Sequence, residues 1–269
     1  MIKYGIDQSI CRQVVEIATA AGRAILEVRA TLTRDGTGVT YKADHSPLSL
    51  ADTAAHERIA TGLRQLTPHL AFLSEEGGKA YLGERESEAY WLVDPLDGTR
   101  EFLSGSDEFT VNIALIVEGR PVWGVVGVPA QEQVYWGGYH EGAWCRHGDD
   151  VKALRVSPWP QPGERVRIVA SKSHMSPETL DFVTRFQPHD LIQAGSSLKF
   201  CRIAQGQADL YPRLGPTCEW DTAAAQAVLE GAGGQVFDLS GQPLCYGKDT
   251  ILNPFFVAAS VGPHGIILP

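Results

Sequence analysis

"VDPLDGTREF", residues 93–102, decides how the rest of this chain is read. Asp94 and Asp97 stand three positions apart with Pro95 between them, and Gly98-Thr99 follows at once. Pro95 fixes its own φ and biases Asp94 towards an extended backbone. Gly98 lets the backbone come close to a ligand. If Gly98-Thr99 opens a helix, the free N–H groups of its first turn form an anion site. An ordinary turn needs no such combination, although acids favour turns and helix N-termini on general grounds. Other carboxylates collect at the ends of apolar stretches: Glu75 and Glu76 after "LAFLS", and Asp221 behind Trp220 at the head of a small-residue helix. Like charges held together raise each other's pKa, and hard divalent cations remove that penalty. Mg²⁺ takes oxygen ligands, and proteins usually bind it through few carboxylates plus substrate phosphate oxygens.

Composition narrows the partners. The chain has 269 residues, 43% of them hydrophobic, enough for one large domain or two small ones with a sizeable core. A net charge of −9 argues against duplex nucleic acid, whose phosphates recruit basic patches. It still suits a small phosphate ester, because bound cations reverse the local charge. Cys11, Cys145, Cys201, Cys218 and Cys245 are odd in number and widely spaced, with no CxxC. A reduced, cytoplasmic compartment is expected rather than a disulfide framework or a zinc ribbon. "MIKYGIDQSI" lacks the apolar core of a signal peptide, and no run approaches the ~18 apolar residues of a membrane span.

Hydrophobic spacing predicts helices over about Ser9–Ala30 and Leu50–Leu66. They are joined by the polar, Gly-bearing "TLTRDGTGVTYKADHSP". "LAFLSEE" and "YWLVD" read as buried strands. "FTVNIALIVEG", "VWGVVGVP", "QVYWGGY" and "GAWCR" follow with short turns, which implies an antiparallel sheet. The Pro-rich "VSPWPQPGER", residues 156–165, is the best linker, dividing 1–155 from 166–269. Beyond it, "RIVAS", a helix capped by Ser176-Pro177, "DLIQAG", "SLKFCRIAQ", "ADLYPR" and "WDTAAAQAVLEGAGG" alternate strand and helix.

"WLVDPLDGTREF" together with "EWDTAA" resembles the two signature motifs of the inositol monophosphatase superfamily of Mg²⁺-dependent, lithium-inhibited phosphatases. "YKADHSPLSLAD", "LSEE", "EFTVNIAL", "GSSLKFC" and "LYPRLGPT" look, in order, like its CysQ branch, the 3'(2'),5'-bisphosphate nucleotidases. The resemblance runs from about Lys42 to Ala225. It implies an α/β (α+β) sugar-phosphatase fold with alternating α-β-α-β-α layers, and two to three Mg²⁺ ions. The first ion would use Glu75, Asp94 and the backbone carbonyl of Leu96. The second would share Asp94 and add Asp97 and Asp221, and a weaker third would lie near Glu75. Asp52 and Thr99 would polarise the attacking water, with Gly98 facing the phosphate. In-line attack with no covalent phosphoenzyme fits such a site.

Substrate choice should lie in the second half. Ser196, Ser197 and Lys199 of "GSSLKFC" place hydroxyls, helix N–H groups and a charge where a second phosphate can bind. By the resemblance, Arg213 and His174 stand beside them, and Tyr211 is a candidate wall for adenine. Arg100 stands where the branch often carries lysine. Gly36, Gly38, Asp44 and His45 belong to an expected lid, residues 33–47. The implied reaction is hydrolysis of adenosine 3',5'-bisphosphate to AMP and phosphate, linked to sulfate assimilation; whether the 5'-phosphosulfate analogue is also taken stays open. Inositol monophosphate is the alternative substrate, and a non-catalytic nucleotide sensor the alternative class. The expected partner is a small bisphosphorylated nucleotide, with no nucleic acid and no integral membrane segment. The location is cytoplasmic, with peripheral attachment to the inner membrane face left open.

Overall fold

The computed structural model describes residues 1–35, 39–41, 47–77, 88–171, 175–262 and 266. Helix α1 (Gln8–Asp35) runs past its expected end at Ala30. The connection expected to be a loop contains a short antiparallel pair, β1 (Val39–Tyr41) and β2 (Pro47–Ser49). Gly36, Gly38, Asp44 and His45 of the expected lid lie outside the described residues. Helix α2 spans Leu50–Leu66, as its spacing predicts.

Strands β3 (Ala71–Ser74) and β4 (Ala89–Asp97) begin the first sheet, and a five-residue helix, α3 (Thr99–Leu103), follows. Then come β5 (Thr110–Val117), β6 (Arg120–Val128), β7 (Gln133–Gly138), β8 (Gly142–His147) and β9 (Asp150–Ala153). These seven strands pair in chain order. From β4 onward the ladder is antiparallel, as tight turns dictate, while β3 and β4 are parallel.

The second sheet comes from the C-terminal part. Its elements in chain order are β10 (Val166–Ser171), α4 (Pro177–Thr184), β11 (His189–Ala194), α5 (Leu198–Ala204), β12 (Leu210–Arg213), α6 (Ala223–Gly231), β13 (Gln235–Asp238) and β14 (Phe256–Ala259). Strand order is β11-β10-β12-β14-β13. Ser176 caps α4 through its hydroxyl, which accepts from Thr179 N at 3.1 Å, with Pro177 at the first helical position.

Alternation along the strands of the first sheet explains its place in the stack. Trp91, Val93, Ile113, Leu115 and Val125 point to a core shared with α1 and α2. Tyr90, Leu92, Ala114, Ile116 and Val126 point the other way, into a core shared with α5, α6 and the second sheet. Both faces are apolar because both are covered. A third core, with Ile168, Leu210 and Val257 against Phe182 and Val183, joins the second sheet to α4. The result is the expected α-β-α-β-α stack. The central layer is tight: α6 begins with three alanines, and a Cβ on Gly124 of β6 would collide with the backbone of Ala224. No described helix is long and apolar enough to cross a membrane.

Candidate active site

The carboxylates gather where β4 ends. The ladder to β5 slips between Asp94 and Asp97, as expected where Pro95 removes a donor. Asp94 Oδ1 turns back to accept from Leu96 N at 3.1 Å. Gly98 takes φ +88, which frees Thr99 to start α3, so the expected helix opens at Gly98-Thr99. Thr99 Oγ1 donates to Leu96 O at 3.3 Å. Asp97 Oδ2 accepts from Ser197 N at 2.7 Å and from Thr110 Oγ1 at 3.3 Å. Asp221, before α6, accepts from Cys218 N at 2.8 Å.

Ser197 is the joint between the two halves. Its hydroxyl accepts from Asn112 Nδ2 at 2.9 Å and donates to Asp221 O at 2.7 Å, with Asp97 Oδ2 at 3.2 Å. Ser196, at φ +48, aims its hydroxyl at Asp97 O and Glu108 O, both at 2.9 Å. Both hydroxyls expected at a phosphate are therefore engaged in holding the acidic turn. Asn112 escaped the sequence reading, although a polar residue within an otherwise apolar strand was its visible signal.

Electrostatics mark the cluster as incomplete on its own. Asp94 is 1% exposed and Asp52, in the first turn of α2, 2%. Burial, reinforced by Glu75, Asp97, Asp221 and Asp52, pushes the Asp94 carboxyl well above the usual carboxylate range. Burial and then Asp97 do the same to Asp221. Burial also raises Asp97, with the Lys199 charge and the Ser197 hydrogen bonds pulling back. Among the described residues no three such side chains are already closed on one point, since Asp94, Asp97 and Asp221 are each tied through one oxygen to a backbone N–H. Buried carboxylates repelling one another, all with oxygen donors, fit hard divalent cations.

Of these acids Asp97 and Asp221 border a cleft of about 250 Å³, where with Glu75 and Thr99 they face Lys199 and Arg213. Burial pushes Lys199 down to about 8. Its ammonium donates to Ser196 O at 2.6 Å and lies 5.3 Å from the Tyr211 ring centre. Arg213 donates to Pro216 O at 2.7 Å, and its buried Nε has no partner. Arg100 lines the rim. Tyr211, the candidate wall for adenine, lines the cleft but is almost wholly buried, its ring edge-on to Phe200 and Phe256. His174 lies outside the described residues. A larger cavity of about 1020 Å³, between the N-terminus, β6 and β13, contains none of these acids.

The inositol monophosphatase family profile matches residues 7–259. The 3'(2'),5'-bisphosphate nucleotidase CysQ of Escherichia coli K12 is 45% identical over 249 residues, covering 91% of this chain and 97% of that protein. The protein of the same name from Buchnera aphidicola is 35% identical over 253 residues, covering 93% of each. Among solved structures, CysQ from Bacteroides thetaiotaomicron superposes with a TM-score of 0.82 at 37% identity, covering 94% of this chain and 98% of that one. The extragenic suppressor protein suhB of Bartonella henselae reaches 0.74 at 27% identity, covering 94% of each.

Proposed function

The chain belongs to the inositol monophosphatase family, and from that premise we propose that it is a 3'(2'),5'-bisphosphate nucleotidase, removing the 3'-phosphate of adenosine 3',5'-bisphosphate to leave AMP and phosphate. Members of this family are metal-dependent phosphatases. Two or three Mg²⁺ ions would fit these acids: Glu75, Asp94 and the Leu96 carbonyl would hold one, and Asp94, Asp97 and Asp221 another. When bound, they neutralise the phosphoryl oxygens and acidify the attacking water.

The chain's own groups do the rest. Gly98 and the first turn of α3 present N–H groups to the scissile phosphate. Thr99 and Asp52 orient the water and accept its proton, a role for which the buried Asp52 carboxylate is chemically suited. Ser197 holds Asp97 and Asp221 in one frame. The observation that carries the substrate reading is the pair of cations, Lys199 and Arg213, facing the acids across one cleft. An inositol monophosphate has no second phosphate to use them, whereas a bisphosphorylated nucleoside does. Clearance of this nucleotide in sulfate assimilation, in the cytoplasm, is the physiological role that the likeness to CysQ supports.

The deciding assay is phosphate release from adenosine 3',5'-bisphosphate and inositol 1-phosphate, side by side, with Mg²⁺ and with or without Li⁺. Preference for the nucleotide, dependence on Mg²⁺ and inhibition by Li⁺ are expected. Preference for the inositol ester overturns the substrate, and release from neither overturns the enzyme in favour of a sensor.

A further inference from the structure

Asp221 sits on the loop 217–222 that leads into α6, and this loop is strapped from behind. The strap is residues 245–253, a stretch without helix or strand between β13 and β14. Asn253 Nδ2 donates to Cys218 O at 2.8 Å and to Thr222 Oγ1 at 3.0 Å. One side-chain amide therefore grips both the residue whose N–H binds the Asp221 carboxylate and the residue that follows Asp221. Asn253 Oδ1 in turn accepts from Lys248 Nζ at 3.3 Å. The same ammonium pairs with Glu219 Oε1 at 2.6 Å. Glu219 is fully buried, and its carboxylate also receives the N–H groups of Gly247 and Lys248, both at 3.1 Å. Backbone bonds close the seam: Glu219 N to Ile251 O at 2.8 Å and Asn253 N to Thr217 O at 2.9 Å.

We propose that Asn253 and Lys248 are positioning residues for the reaction, fixing Asp221 for the ions through the Cys218 peptide and Thr222. This rests on Asp221 being a metal ligand, as proposed above. Neither residue lines the cleft, so neither touches substrate. Asp221 needs such support because Asp97 and Glu75 repel it inside the protein. A buried ion pair is an inefficient device for stability alone, since well-packed apolar side chains often do as well. What a polar clasp adds is a defined orientation. Groups that orient a metal ligand typically change affinity by about 10- to 100-fold when removed.

The test is Mn²⁺ binding to the full-length chain, read from the EPR signal of free Mn²⁺, with the unfolding temperature of each metal-free variant measured in parallel. Asn253→Ala and Lys248→Ala are expected to weaken Mn²⁺ binding by about 10- to 100-fold. Lys248→Arg, which keeps the charge and donors, is expected to recover most of the loss. At saturating Mn²⁺ the KM for adenosine 3',5'-bisphosphate stays near that of the unmodified chain. A lower unfolding temperature with an unchanged Mn²⁺ isotherm means the clasp is only structural and overturns the proposal. If Lys248→Ala does not fold, Asn253→Ala, which leaves the Glu219 ion pair intact, decides. Asp221→Asn separates the two levels. Lost binding there with normal binding in Asn253→Ala overturns the clasp alone; normal binding in Asp221→Asn overturns the ligand assignment, and the clasp falls with it.

Discussion

Replacing Gly98 with alanine tests how the two halves of the site are held together. Gly98 has φ +88, a conformation that costs an L-residue about 1–2 kcal/mol. Its new Cβ would also run into Ser196 Oγ. That hydroxyl must then leave Asp97 O and Glu108 O, both 2.9 Å away, at a further cost of about 1–2 kcal/mol for a buried polar contact. The expected destabilisation is about 3 kcal/mol, more than a hundredfold in the folding equilibrium. Urea unfolding under chelator measures it without metal linkage. The informative background is Ser196→Gly, which removes the colliding hydroxyl and suits the φ of +48 at that position. There Gly98→Ala should cost only the backbone strain, so the cycle shows about 1–2 kcal/mol of coupling. Costs that add to within about 0.5 kcal/mol would refute the clash, and with it the idea that Ser196 pins the acidic turn.

Asp94→Asn removes one buried charge from a repelling set, so the metal-free variant should unfold at a higher temperature than the metal-free parent, while turnover falls about a thousandfold, equivalent to several kcal/mol of lost metal catalysis. A lower melting temperature without metal contradicts the repulsion, and retained turnover contradicts the site. Lys199→Ala should raise the KM for adenosine 3',5'-bisphosphate far more than it affects a nucleoside 3'-monophosphate; equal losses on both substrates count against a second-phosphate role. With the Lys199 ammonium held at about 8, its charge is present below that pH and lost above it. The KM for the bisphosphate should therefore climb from pH 8 to 9.5 and do so much less in Lys199→Arg, whose guanidinium stays charged; parallel profiles exclude Lys199 as the group responsible.

What could be read from residues alone was local. Leu50–Leu66 repeats its apolar face at helical spacing, and Ser176-Pro177 is a cap-and-start pair, so both elements carry their own signal. Asp94 and Asp97 are legible as candidate ligands because Pro95 and Gly98 punctuate them. β13 and β14 carry no such signal: each is four residues long, too short for alternation to register, and each is defined by its neighbours in the sheet. Ser196 and Ser197 read as phosphate ligands from their own segment, and only folding adds their hydrogen bonds to Asp97, 99 and 100 positions away. Tyr211 borders the cleft as its place on β12 suggests, while its near-complete burial comes from Phe256 on β14, which no alternation along its own strand announces. The Glu219–Lys248–Asn253 clasp falls in a segment with no periodicity at all, and only tertiary contact reveals it.

The bond from Ser197 N to Asp97 spans 100 positions of chain. On a ribosome adding about 5–20 residues per second, Asp97 is made about 5–20 seconds before Ser197, and Asp221 comes later still. Throughout that interval the acids at the end of β4 have no second half to bury them, and the face of β6 that receives α6 stands bare. A nascent chain halted before Asp221 thus carries Asp94 and Asp97 without the loop and helix that bury them in the finished protein.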